Sequence, residues 1–316
     1  MSTLARPEPD GAGAGTATGA RAEARAGAGA GAGAKARAGA DVGGGTEALP
    51  RLRHELRALH GLVHRDLLRL ARQRTPTALM LLHPVLYLFI LGGGLAALVP
   101  TASLGVGYRT YLFPGMLMMT VQTPAIMVGI RLITDRQSGY LRELLMAPVG
   151  RATLLLGSCA GGTLVATVQG AVLLALAGAV GLPYDPVLFA LLLGGMLLAS
   201  FALTALSLAL AVGLSRPETF HTLLGLVMMP LLFLSGGFFP LASLPGWVQP
   251  LAAANPLAYG VDVLRRAIAL RAPEQAAAGG VEWAGRQPPL PLEAGLLLAS
   301  GALALLWAAR RFSRPE

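Results

Sequence analysis

Lysine is almost missing from this chain: Lys35 is the only one in 316 residues. A phosphate-binding loop needs a Gly-Lys-Ser/Thr run, and Lys35 is followed by Ala36 in a low-complexity stretch, so a Walker A nucleotide site is excluded. Cysteine is as scarce. Cys159 stands alone in an apolar run, which excludes an internal disulfide and a multi-cysteine metal site and leaves a small packing residue. Charged residues make up 13% of the chain, against about a quarter in a soluble domain. No Asp or Glu lies deep inside the long apolar runs, and Glu293 stands only at the edge of the last. Ion-coupled secondary transport normally needs such a carboxylate. The best material for a Ser-His nucleophile is Ser235 with His221, but Phe233 occupies the place of the preceding glycine. About 21 Å of helix would also separate the pair.

What the chain has instead is apolar length. Hydrophobic residues are 54% of it, gathered into six runs: about Thr77–Val99, Tyr111–Ile133, Thr153–Leu182, Val187–Leu214, Leu223–Phe239 and Leu290–Ala309. The runs are continuous rather than alternating, and most reach the ~20 residues needed to cross hydrocarbon, so helices are favoured over a barrel. The expected fold class is an all-α integral membrane protein with six spans. Pro84, Pro114 and Pro124 should kink the first two locally, and the fifth run is the shortest and contains Pro230.

Three segments divide the sequence. Residues 1–46 are Ala, Gly and Arg-rich and cannot bury a core, so a disordered tail is expected. Across residues 47–76, Leu52, Leu56, Leu59, Val63, Leu67 and Leu70 recur at helical spacing among seven arginines. This reads as a basic amphipathic helix lying on an anionic membrane face, or as a soluble helix on a partner. Residues 77–316 hold the spans. The net charge of +9 does not imply nucleic acid, because arginines flank apolar runs instead of forming a stripe with aromatics. One set of run ends carries fifteen arginines and the other five, which places both termini in the cytoplasm.

Two polar segments stand out. Residues 135–151 form a short charged amphipathic stretch between spans, with Gly139 before it and Pro148 after it. Such a segment can pass a push from a soluble partner into the bilayer, or be an ordinary solvated loop. Residues 238–266 are too polar and proline-rich to span. There Asn255-Pro256 reads as an N-cap with Pro at the first helical position. Leu257, Val261, Leu264 and Ile268 form one stripe, and Asp262 can pair with Arg265 and Arg266. Two short re-entrant helices are expected, with Trp247 and Tyr259 at the membrane interface; an ordinary external loop is the plain alternative. Inside the runs, Gln122, Thr123 and Gln169 are candidates for a translocation path, though helix packing commonly explains such residues. Glu218 and His221, at the start of the fifth span, could meet a partner or simply suit the helix dipole.

These two segments resemble ABC-2 permeases, the membrane subunits of ATP-driven exporters. The 135–151 stretch resembles that family's first cytoplasmic loop through Gly139, Leu144, Leu145, Pro148, Arg151 and Gly157. The 238–266 stretch is similar to that of drug- and polyketide-efflux members, most of all actinobacterial daunorubicin-resistance permeases, in the order Phe-Phe-Pro, Leu-Pro, Trp, Asn-Pro, Tyr, Asp, Arg. Roughly residues 65–310 are covered, and Tyr140 departs from the more usual Thr. The resemblance implies a bacterial plasma-membrane homodimer or pseudo-dimer bound to separate ATPase subunits. ATP and magnesium would sit on the partner, with no cofactor in this chain. It further implies coupling through Gly139, Tyr140, Leu141, Arg142, Glu143, Leu144, Leu145 and Pro148, and export of a hydrophobic or amphipathic small-molecule cargo. Export of a lipid or glycan, a secondary transporter, and a pore or scaffold stay open as alternatives.

Overall fold

The computed structural model describes residues 48–95, 104–139, 150–277, 279–283 and 286–312. The chain divides into two units, residues 1–54 and 55–316. Of the first, only the opening of one helix is described, so the architecture below is that of the second. The tail expected over 1–46, and all but Gly139 of the expected coupling residues 139–148, lie outside the described residues.

Nine helices are described: α1 (Ala48–Arg72), α2 (Arg74–Gly94), α3 (Tyr108–Gln137), α4 (Arg151–Leu174), α5 (Pro186–Gly213), α6 (Pro217–Phe233), α7 (Gln249–Ala253), α8 (Pro256–Arg271) and α9 (Leu290–Phe312). Among the described residues the only strand-like pairing is an isolated bridge between Trp283 and Arg286. Five helices, α2 to α5 and α9, are long and apolar enough to cross a membrane. The expected sixth, α6, has 17 residues, about 25 Å of helix against about 30 Å of hydrocarbon. The sequence run continues to Phe239, but the helix stops at Phe233 and the rest is irregular. The third run likewise ends its α-helix at Leu174 and finishes as a 3-10 turn over Ala177–Val180. Pro84, Pro114 and Pro124 all lie inside unbroken helices.

α5 is the centre of the bundle and packs on α3, α4, α8 and α9. Small residues allow the approach. A Cβ on Gly129 of α3 would collide with Ser207 and Phe220, and one on Gly162 of α4 would collide with Val128. Close contact of this kind substitutes for the hydrophobic drive that lipid removes. Polar groups close the remaining gaps. Ser207 Oγ donates to the Ile126 carbonyl at 2.9 Å and accepts from Gly129 N at 3.2 Å. Ser200 Oγ and Thr167 Oγ1 are 3.1 Å apart across α4 and α5. Cys159 is buried in the apolar core, as a packing residue should be.

The run ends that carry most arginines do share one end of the bundle. Gln137 Nε2 at the close of α3 donates to the Ser215 carbonyl at 3.0 Å, and Arg151 at the start of α4 donates to the Phe312 carbonyl at 3.3 Å. At the opposite end, Arg271 Nε meets Asp185 Oδ2 at 2.8 Å, joining the close of α8 to the N-cap of α5. The amphipathic helix runs to Arg72 and is separated from α2 by Gln73 alone, so α2 begins earlier than the expected boundary after residue 76. Leu59, Val63, Leu67 and Leu70 are half-buried on its inner face, while Leu56 is exposed. The most buried described side chain on α1 is Asp66, whose surface is 5% exposed.

Candidate functional site

At the end of α6 the backbone leaves the helix and crosses α3. Gly236 turns with a φ of 75°, and the next residue, Gly237, lies against Gly115. A Cβ on Gly115 would sit 2.7 Å from the Gly237 Cα, so neither position tolerates a side chain without movement. Ser235, Gly236, Gly237 and Phe238 are all buried, and buried backbone polar groups need partners. They find them on α3 and α8. Tyr111 Oη donates to the Gly236 carbonyl at 2.9 Å and Tyr108 Oη to the Phe238 carbonyl at 3.3 Å. Arg265 Nη2 donates to the same Gly236 carbonyl at 2.9 Å, and its Nη1 to Gly279 at 2.8 Å. The guanidinium also lies 4.6 Å above the Tyr111 ring. One buried arginine therefore joins α3, the crossing after α6 and the segment after α8.

The expected cap is present. Asn255 Oδ1 accepts from Leu257 N at 3.0 Å, and Pro256 occupies the first position of α8. Its Nδ2 donates to the Leu231 carbonyl at 2.6 Å. Ser235 N has turned to Leu232 instead, so Asn255 serves both the start of α8 and a carbonyl freed by the end of α6. Leu257, Val261, Leu264 and Ile268 are all buried, as their spacing requires. Gly260 of α8 meets Met118, about 15 Å along α3 from its start. α8 thus reaches about a third of the way down the longest helix.

Two sequence expectations need correction here. Asp262 pairs with Arg266 at 3.1 Å, not with Arg265, because the Arg265 side chain is drawn to backbone carbonyls on the other side. Tyr259 is buried, not an interface residue. Its Oη donates to Ala253 and accepts from Trp283 Nε1 at 3.1 Å, and burial pushes its phenol up from the ordinary value. Trp247, by contrast, is 76% exposed. Glu293 stands in the first turn of α9, at the edge of the last run as expected, and is fully buried there, its Oε1 accepting from Arg266 Nη2 at 2.9 Å. Arg266 therefore bridges two carboxylates and also donates to the Pro288 carbonyl, while Glu293 Oε2 has no hydrogen-bond partner among the described residues. A signal for this existed in the sequence, since Arg266 and Glu293 each border an apolar stripe; the distance of 27 residues between them hid the pairing.

Among the described residues the candidate path residues make no hydrogen bond to one another. Gln122 is buried against α6, with Nε2 donating to Met228 Sδ at 3.1 Å and Oε1 without a partner among the described residues. Gln169 is buried on α4. Thr123 faces outward, at the head of the more open stripe of α3 that continues through Ile126, Met127, Ile130, Arg131 and Thr134. Glu218 and His221 are exposed at the start of α6. Gly139 follows the close of α3 with a φ of 77°, the left-handed conformation that ends a helix at glycine. Among the described residues, no group of three or more His, Cys, Asp or Glu side chains could hold a metal ion.

The profile of the ABC-2 type transporter family matches residues 57–268, a segment that runs from α1 through most of α8. This chain belongs to that family. "Putative transport permease ycf38" of Porphyra purpurea is 29% identical over 218 residues, 66% of this chain and 73% of that one. Nodulation protein J of Rhizobium leguminosarum bv. viciae is 31% identical over 186 residues, 58% of this chain and 70% of that one. "Probable multidrug ABC transporter permease YbhR" of Escherichia coli (strain K12) is 26% identical over 169 residues, 50% of this chain and 44% of that one. The ABC-2 permease is therefore a multi-pass membrane protein whose relatives carry the names of transport permeases.

Proposed function

We propose that this permease is the membrane subunit of an ATP-binding cassette exporter, moving a hydrophobic or amphipathic compound out of the cell with ATP hydrolysed by a separate partner. The family match across α1 to α8 carries the reading. The name of the multidrug relative favours a drug-like cargo; a lipid or glycan is the alternative. Both termini lie in the cytoplasm of a bacterial cell, because positive flanks stay inside. Two copies form the working unit. The exposed flank of α6, together with Thr123 on the open stripe of α3, offers a surface for a path between copies.

The segment from Gly139 through Pro148 receives the partner's motion. Leu141, Leu144 and Leu145 anchor it in the ATPase groove, with Arg142 and Glu143 at the rim. On the other side, residues 234–271 form a re-entrant cap over the path. Its support is physical: the Gly236 and Phe238 carbonyls are both tied to tyrosines of α3. Glu143→Arg should leave expression and membrane insertion near normal while lowering both cargo export and stimulation of the partner's ATPase. A variant that binds the partner and exports like the parent would refute the coupling assignment.

A further inference from the structure

A cavity of about 280 Å³ lies between α1, α3 and α4 at the arginine-rich end of the bundle. Its polar half is formed by Arg65, Asp66 and Arg69 of α1 with Arg131 and Asp135 of α3; its other half is aliphatic, closed by Phe312 of α9. The charges do not cancel, since three guanidinium groups face two carboxylates. Nor are they tightly paired. Asp66 Oδ1 stands 3.4 Å from Arg65 and 3.6 Å from Arg131, whereas a charge-assisted hydrogen bond closes to about 2.7–2.9 Å. Asp66 Oδ2 lies over Gly161 of α4, 2.5 Å from where a Cβ there would stand. Among the described residues the Arg69 side chain makes no hydrogen bond. Donors are thus left facing an open space that one further anion would complete.

Depth narrows the identity of that anion. Arg131 lies about 9 Å along the axis from Gln137, the end of α3. A 30-residue helix is about 45 Å long against about 30 Å of hydrocarbon, so a point 9 Å from its end falls near the edge of the apolar layer, and aliphatic side chains line the cavity beside the arginines. A soluble anion would have no use for the aliphatic half. An acidic side chain of a soluble partner would have to reach past the end of the span. We infer that this cavity holds the phosphate of an anionic phospholipid, gripped by Arg65, Arg69 and Arg131, with Asp66 as the internal anion that keeps the arginines in place when the site is empty. Basic pockets between spans suit such head groups.

The full chain, reconstituted in mixed phosphatidylglycerol and phosphatidylcholine bilayers, can be extracted and its retained lipid read by native mass spectrometry. The parent should keep phosphatidylglycerol and lose phosphatidylcholine. Arg69→Gln and Arg131→Gln should each lower phosphatidylglycerol retention about fivefold, the factor for one basic residue at an anionic surface. Arg69→Gln is the safer variant for folding, being exposed. Asp66→Asn should act in the opposite sense and raise retention, because it removes the competing anion; a purely structural ion pair allows no such gain. Equal retention across all variants would overturn the inference. Displacement of the lipid by millimolar inorganic phosphate, with an arginine-dependent rise in melting temperature, would assign the site to free phosphate instead. Loss of ATPase co-purification with lipid retention intact would assign the arginines to a protein partner. None of these readouts depends on transport.

Discussion

The carbonyl of Gly236 accepts from both Tyr111 and Arg265, so each donor should mask the loss of the other. Tyr111→Phe keeps the ring beneath the guanidinium and removes one neutral hydrogen bond, a loss of about 0.5–1.5 kcal/mol. Arg265→Met mixes opposed effects. It deprives the Gly279 carbonyl of its donor, at about 1–3 kcal/mol, and removes a cation–π contact of about 1–2 kcal/mol. Against this, it removes a buried guanidinium that, among the described residues, has no carboxylate in ion-pair range and no partner at Nε, a desolvation cost that apolar replacement relieves. The sign of the single change is therefore a poor test, and the coupling between the two is a good one. Only the double variant leaves the buried Gly236 carbonyl without a side-chain donor. It should be less stable than the sum of the singles by about 1–3 kcal/mol. Unfolding by SDS titration of the four proteins, monitored by tryptophan emission, gives this number directly. Additivity within about 0.5 kcal/mol would refute the shared-acceptor arrangement.

Three further outcomes follow from the same end of the molecule. Asn255→Ala should lower the melting temperature by the equivalent of about 1–3 kcal/mol, since it removes an N-cap and frees the Leu231 carbonyl, whereas Asn255→Asp, which keeps the cap, should fall between it and the parent. Arg266→Met leaves Asp262 and Glu293 buried without their cation and should cost about 3–5 kcal/mol; adding Glu293→Gln should recover part of that in the same assay. The guanidinium of Arg271 and the amide of Val187 hold the Asp185 carboxyl below its ordinary range. A depressed acid contributes stability above its unfolded value and loses it as pH falls through the folded one. Melting temperatures of the parent should therefore drop more on acidification below about pH 4 than those of Asp185→Asn, which keeps the cap but not the charge.

The membrane class and most helix positions were legible because lipid imposes one rule: long apolar runs must be helices. The reading failed where that rule stops. Residues 234–240 are as apolar as the helix before them, yet they leave it, because Gly236 and Gly237 permit a backbone approach that no hydropathy profile registers. Pairings across long separations were equally hidden. Asn255 was legible as a cap, since capping is local, but its second bond to Leu231 depends on where α6 ends. Asp66 falls within the apolar stripe of α1, between Val63 and Leu70 at helical spacing, and that position was the available sign of its burial. Arg265 and Arg266 are neighbours with the same charge, yet a step of about 100° around the helix sends one to backbone carbonyls and the other to two carboxylates.

The central claim is that this chain supplies the membrane path and a separate protein supplies the hydrolysis. It is tested most directly by ATP turnover and cargo efflux in proteoliposomes holding the permease alone, the cognate ATPase alone, or both. The account predicts background turnover from the permease alone and ATP-dependent efflux only when both are present, with Glu143→Arg lowering turnover and efflux together. Robust hydrolysis by the purified permease, or efflux that needs no ATPase, would contradict it.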